Sequence, residues 1–318
     1  MYSIEAMYPI EAMYPSEAMH PSESMPQAAR YDVLHETLYE YAAPVSQSWQ
    51  LARLRPRDLA WQKVLSYALL IDPHVDERYE TPDCFGNANL HFALHGAHRR
   101  LHVRMHCSVE VQARGAVPQL LGQAWEAVRD CVLADPSHDD LNAARMCEPT
   151  RLVPLSARAR AYAELCLTPG RDWLEGVLAL MRAIHADFEF EPGATTVSTS
   201  VDEVLTQRSG VCQDFAHLML AGLRSLGLPA RYVSGYLLTD PPPGMARLAG
   251  IDASHAWVAA YAPGLGWIEF DPTNNQLGDQ RYITLAWGCD FADVVPLRGV
   301  ILGGGEQQME VRVSVVPV

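Results

Sequence analysis

Ser209-Gly210-Val211-Cys212-Gln213-Asp214-Phe215 opens the stretch whose periodicity decides the fold. Phe215, Leu218, Met219, Gly222, Leu223 and Leu226 recur at the spacing of one helix face, and Gly227 supplies the stop. Cys212 therefore falls in the first turn of that helix. Unpaired backbone N–H groups and the positive end of the helix dipole favour a thiolate there over a thiol. A lone cysteine is more often a small buried hydrophobe, so the rest of the chain has to decide.

A thiolate in acyl transfer needs an imidazole to share its proton and a third group to hold the ring. Downstream, His255-Ala256-Trp257-Val258-Ala259-Ala260-Tyr261 alternates as a strand, Pro263-Gly264-Leu265-Gly266 is turn chemistry, and Trp267-Ile268-Glu269-Phe270-Asp271 alternates again. With the turn centred on Gly264, Tyr261 faces Trp267, Trp257 faces Asp271, and His255 lies one diagonal step from Asp271 on the same sheet face. Diagonal neighbours are about 7–8 Å apart, which lets the carboxylate accept a hydrogen bond from the ring. A slip of one residue would separate them. His217 sits on the cysteine's own helix but points elsewhere around the axis, so it reads as structural rather than as the base.

Upstream, Leu90, Phe92 and Leu94 alternate, as do Leu101, Val103, Met105, Cys107, Val109 and Val111. They predict a hairpin with one buried face in a mainly β domain. Its opposite face carries His91, His95, His102 and His106. No acidic or thiolate set accompanies them, so they read as a solvated face and not a metal site. Helical stripes follow at 120–132, 156–167 and 172–188, interrupted by the polar stretch 137–142. The carboxyl end alternates at Val311, Val313 and Val315 and predicts a closing strand. Residues 240–244, Asp-Pro-Pro-Pro-Gly, read as an exposed loop on the rim of the site.

At the amino end, Met1, Met7, Met13, Met19 and Met25 mark a hexapeptide repeat with Pro9, Pro15 and Pro21, a pattern that predicts a disordered leader. The first basic residue is Arg30, so no positively charged secretory signal is recognised and a cytoplasmic location is expected. The chain of 318 residues has 24 Lys and Arg against 38 Asp and Glu, a net charge of −14 that disfavours nucleic acid and anionic lipid. No apolar run approaches the roughly 18 residues of a membrane span. Seven widely spaced cysteines suggest neither a disulfide framework nor a metal knuckle.

Four segments carry a family resemblance: Gly210-Val211-Cys212-Gln213-Asp214-Phe215-Ala216-His217, Pro229-Ala230-Arg231-Tyr232-Val233-Ser234-Gly235-Tyr236, Ser254-His255-Ala256-Trp257-Val258 and Phe270-Asp271-Pro272-Thr273-Asn274. They resemble bacterial transglutaminase-like proteins. Residues 31 to about 110, with Asp83-Cys84-Phe85-Gly86-Asn87, resemble the β-rich domain that precedes this core. The resemblance implies an α+β fold, a papain-like transglutaminase core of helices and antiparallel sheet preceded by a mainly β, sandwich-like domain. The expected division is a leader at 1–30, the β-rich domain at 31–118, a helical linker at 119–155 and the catalytic domain at 156–318.

The implied triad is Cys212 as nucleophile, His255 as base then acid, and Asp271 as the group that orients the ring. The Cys212 N–H is the first expected oxyanion donor, and Gln207, Gln213, Trp257 and Trp125 compete to be the second. Tyr236, Ser254 and Trp257 are candidates for the substrate cleft. One departure is Cys289, in Gly288-Cys289-Asp290-Phe291, where the family leads us to expect a basic residue and an ion pair.

The expected reaction is acyl transfer from a peptide or protein amide through a thioester, with no cofactor and no metal. Hydrolysis is favoured over protein cross-linking because the chain has no calcium-loop pattern, and the animal cross-linking enzymes that resemble this core depend on calcium. A glycan-removing amidase is disfavoured for want of a Cys-rich metal module, and a scaffold that merely keeps the fold is the non-enzymatic alternative. The resemblance also suggests an ATP-grasp-like ligase as a partner.

Overall fold

The computed structural model describes residues 28–114, 122–134, 138–239 and 254–318. The repeats at 1–25, the rim loop at 240–244 and the first residues of the stripe at 120–132 lie outside the described residues. The chain begins with five strands, β1 (Ala28–Ala52), β2 (Gln62–Asp72), β3 (Glu77–Pro82), β4 (Ala88–Leu94) and β5 (His98–Gln112). Helices α1 (Trp125–Ala134), α2 (His138–Ala144), α3 (Ala157–Glu164) and α4 (Trp173–Asp187) follow, then β6 (Glu189–Phe190), α5 (Val201–Gln207), β7 (Ser209–Gly210) and α6 (Cys212–Ser225). The remainder is β8 (Ala230–Leu237), β9 (Ser254–Ala262), β10 (Gly266–Asp271), β11 (Gln276–Leu277), β12 (Tyr282–Gly288), α7 (Phe291–Val294), β13 (Leu297–Gly303) and β14 (Gln307–Pro317).

The alternation read in β4 and β5 is real: Leu90, Phe92, Leu94 and every second residue from Leu101 to Val111 are buried. The two strands are not a hairpin, however. Both pair instead with β1, end to end along one of its edges, in a sheet whose path is β2-β5-β1-β4-β3. Strand β1 has 25 residues and ladder irregularities near Val45, so its first part pairs with β5 and its end with β4. Its other edge takes β14 along residues 31–41 and β13 along 45–52. Residues 297–317 therefore complete the amino-terminal sheet instead of the catalytic domain to which the 156–318 division assigned them. The same sheet begins at Ala28, inside the span assigned to the leader. The alternation of Val311, Val313 and Val315 shows a strand but cannot show its partner, because pairing is set by which edge remains open.

The expected interruption at 137–142 overlaps helix α2, whose Asp140 accepts a hydrogen bond from the Tyr261 hydroxyl at 2.9 Å. Ser156 and Asp172 accept from the backbone N–H three residues on, opening α3 and α4. Of His91, His95, His102 and His106, three have local partners: His91 stacks on Tyr79, His95 meets Glu77 and His102 meets Glu36. Among the described residues no group of three or more His, Cys, Asp or Glu could hold a metal ion. Nor is any described helix long and apolar enough to cross a membrane.

The second sheet has the order β11-β10-β9-β8-β12. Helix α6 packs on the face carrying Ala256, Val258, Ala260 and Phe270, which explains why nearly every residue of α6 is buried. The opposite face, with Val233, Trp257, Ala259 and Tyr282, forms a separate aromatic cluster with Trp267 and Trp287. The amino-terminal sheet docks through paired backbone–amide bonds. Gln62 exchanges two with Thr284, each 2.8 Å, and Asn87 exchanges two with Trp287, at 2.8 and 3.0 Å. Buried His35 meets the Tyr236 hydroxyl at 3.0 Å across the same seam.

Candidate active site

Helix α6 starts where its sequence places it. Asp214, three residues after Val211, turns back to accept the Val211 N–H at 2.8 Å, and the Thr195 hydroxyl donates to the same oxygen at 2.7 Å. Gly210 allows this fold-back, because a Cβ there would lie 2.8 Å from the carboxylate oxygen. Burial raises the Asp214 pKa to about 6 against the pull of these two hydrogen bonds. Cys212 is thus the first helical residue, with its N–H among the donors that have no intrahelical acceptor.

The β9–β10 register is the one the turn implied. Tyr261 pairs with Trp267, Ala259 with Glu269 and Val258 with Phe270. His255 and Asp271 then meet, Nε2 to Oδ2, at 2.7 Å. The imidazole also shares a side-chain hydrogen bond with Cys212, and since Nε2 faces the carboxylate, Nδ1 is left for the thiol. Burial alone would lower the His255 pKa, but the charge and hydrogen bond of Asp271, and then those of Cys212, raise it to about 10. The Asp271 carboxyl is correspondingly held below the usual range: its burial opposes this, but the His255 charge and the hydrogen bonds of His255, Asn274 and Tyr282 outweigh it.

Two groups around Asp271 were not foreseen. The Tyr282 hydroxyl and the Asn274 amide each donate to Oδ2 at 2.7 Å, while the backbone N–H groups of Thr273 and Asn274 donate to Oδ1. Asn274 stands in a quoted motif, and its spacing after Asp271 fits an Asx turn, a signal that could have found it. Tyr282 comes from β12, beyond any local pattern.

The raised His255 pKa has a measurable consequence for stability. Protonation of His255 stabilises the folded state fully below its unfolded value of about 6.5, and this contribution is lost as pH rises toward about 10. In a Cys212→Ala background, which removes the thiol's own titration, denaturant unfolding should show a steeper loss of stability from pH 7 to 9.5 with His255 than with His255→Gln. Parallel curves for the two proteins would contradict the buried ion pair.

The structure separates the oxyanion candidates. The Trp257 indole N–H donates to Glu269 at 2.6 Å, that of Trp125 to the Thr168 carbonyl at 3.0 Å, and the Gln207 amide to the Ser209 carbonyl at 2.9 Å. Both indole N–H groups are thereby occupied, and the exposed Gln207 has one of its two amide N–H groups engaged. Gln213, next to Cys212 and nearly buried, carries no such commitment among the described residues.

The cleft candidates also divide. Ser254 is half-buried at the start of β9, whereas Tyr236 and Trp257 are wholly interior, Tyr236 between the two sheets. They line no open surface, because the face they occupy is the one the amino-terminal domain and the aromatic cluster cover. Cys212 is 2% and His255 6% exposed, so little of either side chain is open to the surface. A cavity of about 570 Å³ lined by Tyr39, Tyr41, Gln50, Ile301 and Glu306 belongs to the other sheet and contains no triad residue.

Buried His217 accepts the Phe291 N–H at 3.2 Å, and burial lowers its pKa to about 4, so it is a neutral structural ring. Near Cys289, Arg224 donates to the Cys289 carbonyl at 2.5 Å, while the thiol itself faces the Met146 sulfur.

Comparison with known proteins identifies the family. The model of the bacterial transglutaminase-like N-terminal region matches residues 31–110, and that of the transglutaminase-like superfamily matches residues 159–272. The chain is 40% identical over 300 residues to the uncharacterized protein Rv2569c of Mycobacterium tuberculosis, covering 91% of this chain and 93% of that one. It belongs to the transglutaminase-like superfamily. A relative in Mycobacterium leprae, the uncharacterized protein ML0607, is 32% identical, with 90% of this chain and 98% of that one covered. Among solved structures, a candidate cysteine protease from Cytophaga hutchinsonii superposes with a TM-score of 0.72 at 21% identity, covering 92% of both chains, which shows the shared fold. A 103-residue stretch is 38% identical to a protein-glutamine gamma-glutamyltransferase of Pseudomonas aeruginosa, covering 30% of this chain and 15% of that protein.

Proposed function

We propose that this protein is a thiol acyl-transfer enzyme that opens peptide or side-chain amides through a thioester on Cys212, with water as the acceptor. The observation that carries the reading is the single imidazole shared by a helix-terminal thiol and a buried carboxylate. The Cys212 sulfur, having given its proton to His255, attacks the amide carbonyl, and the oxyanion is held by the Cys212 N–H with Gln213 beside it. The tetrahedral adduct then collapses. The C–N bond breaks, and the His255 imidazolium gives its proton to the departing amine. Neutral His255 next takes a proton from water as it attacks the thioester, and the thiol leaves with that proton. Asp271 remains ionised throughout and fixes the ring.

Amine transfer is the second reading, favoured by the segment shared with the Pseudomonas enzyme. The two differ only in what attacks the thioester. Incubation with a glutamine-containing peptide library and a fluorescent amine, with Cys212→Ala as control, separates them. Acid release without amine incorporation is expected; incorporation without comparable acid release would replace hydrolysis by transfer. No Cys212-dependent product from any amide would leave the fold as a scaffold.

A further inference from the structure

Glu269 is an acid buried in the aromatic face of the catalytic sheet, its side chain 2% exposed. One of its oxygens accepts both the Trp257 indole N–H, at 2.6 Å, and the Arg114 guanidinium, at 2.7 Å. Arg231 adds a second positive charge toward it, and Arg231 is in turn stacked between Trp267 and Trp287. Trp257 lies along the His255 ring, with centroids 6.0 Å apart and planes 26° from parallel. Its other neighbour is Tyr282, edge-on at 5.1 Å, whose hydroxyl holds Asp271. Arg114 does not come from the catalytic sheet. It follows the end of β5 in the amino-terminal domain, where its guanidinium also lies over the Trp61 ring at 5.0 Å.

The backbone is shaped for this contact at two glycines. A Cβ on Gly278 would lie 2.2 Å from Arg114 and 2.9 Å from the Glu269 carboxylate, and one on Gly235 would lie 2.7 Å from the Trp257 ring. Space is thus kept free both where the arginine meets the acid and where the indole sits. A buried carboxylate is costly unless paired, and here its pairing reaches across the seam between the domains.

We propose that Arg114 and Glu269 are positioning residues for the triad. Arg114, supplied by the amino-terminal domain, grips Glu269, which fixes the Trp257 indole as the wall that keeps the His255 ring aligned with Cys212 and Asp271. The amino-terminal domain is in this way part of the catalytic apparatus. This inference rests on the acyl-transfer reading and assigns the upstream domain a function within it.

The test uses the full chain and two readouts that need no substrate: the rate of iodoacetamide alkylation at Cys212, followed by peptide mass spectrometry from pH 6 to 9, and the ¹⁵N resonances of the His255 ring. Glu269→Gln, Trp257→Phe and Arg114→Ala should slow alkylation by roughly ten- to a hundredfold at neutral pH and shift the His255 resonances, since small misplacements of a reacting group carry penalties of this size. Arg114→Lys, which keeps the cation, should retain more of the rate than Arg114→Ala. Glu269→Gln preserves side-chain shape, so it decides the matter if Arg114→Ala does not fold. Wild-type rates and unchanged His255 resonances in these folded variants would overturn the positioning role. His255→Ala separates the two levels: if it too alkylates at the wild-type rate, the acyl-transfer reading fails, and if it alone is slow, only the role of Arg114 and Glu269 is lost.

Discussion

Cys212→Ala is expected to abolish amide turnover, by about 10⁴-fold or more, while leaving the fold intact. Without the sulfur no thioester forms, and the remaining oxyanion donors and binding contacts supply only residual catalysis. Cys212 is buried at the start of α6, but the change removes one atom from a site bordered by the polar His255, so a stability loss of about 1 kcal/mol is expected. His255→Ala should reduce turnover to a similar extent, because thiol and imidazole act as a unit. The double variant should then be no worse than either single one. Multiplicative losses in the double variant would mean that the two side chains act independently, contrary to the hydrogen bond between them. Turnover assays with circular dichroism on the same samples make the comparison.

Asp271→Ala should have the largest effect on stability. The carboxylate is fully buried and accepts five hydrogen bonds, from His255, Tyr282, the Asn274 amide and two backbone N–H groups. Its removal strands a charged imidazole and several donors away from water, a loss on the order of 3–5 kcal/mol. Asp271→Asn keeps the volume and one carbonyl oxygen but turns an amide NH₂ toward other donors. It should fold better than the alanine variant and still lose activity by roughly 10³-fold or more, since a neutral partner no longer stabilises the imidazolium. Urea unfolding and turnover of the two variants test this. An asparagine variant with wild-type activity would remove Asp271 from the mechanism.

These two expectations depend on different amounts of the sequence. The start of α6, the Gly264 turn and the register of β9 against β10 were all readable, because each is set locally: helix period, turn chemistry and strand alternation leave one arrangement that puts His255 beside Asp271. The family resemblance supplied the same trio independently. What could not be read is what long-range pairing decides. The alternation of β4 and β5 suggested that they pair with each other, yet both pair with one edge of β1, and the carboxyl-terminal strands return to its opposite edge. Tyr282 reaches Asp271 from β12, a strand that does not pair with β10, and Arg114 reaches Glu269 from another domain, so neither contact follows from local turn and strand chemistry. Trp257 shows how a local reading can place a residue well and assign its role wrongly. It lies next to the triad as expected, but its N–H is taken by Glu269 and cannot serve an oxyanion.

The central claim can be tested against the other cysteines of the same chain. Cys84 and Cys131 are exposed, Cys147 and Cys289 intermediate, and Cys107 and Cys166 buried. Ranked by accessibility alone, Cys84 and Cys131 should react first with iodoacetamide and Cys212 among the last. The measurement is the alkylation rate of each cysteine at pH 6.5, resolved by mass spectrometry in the wild-type protein and in His255→Ala. A thiol activated by His255 leads the series despite its burial and drops to the rear when the imidazole is removed. An order that follows exposure in both proteins, with Cys212 slow and indifferent to His255, would contradict the account.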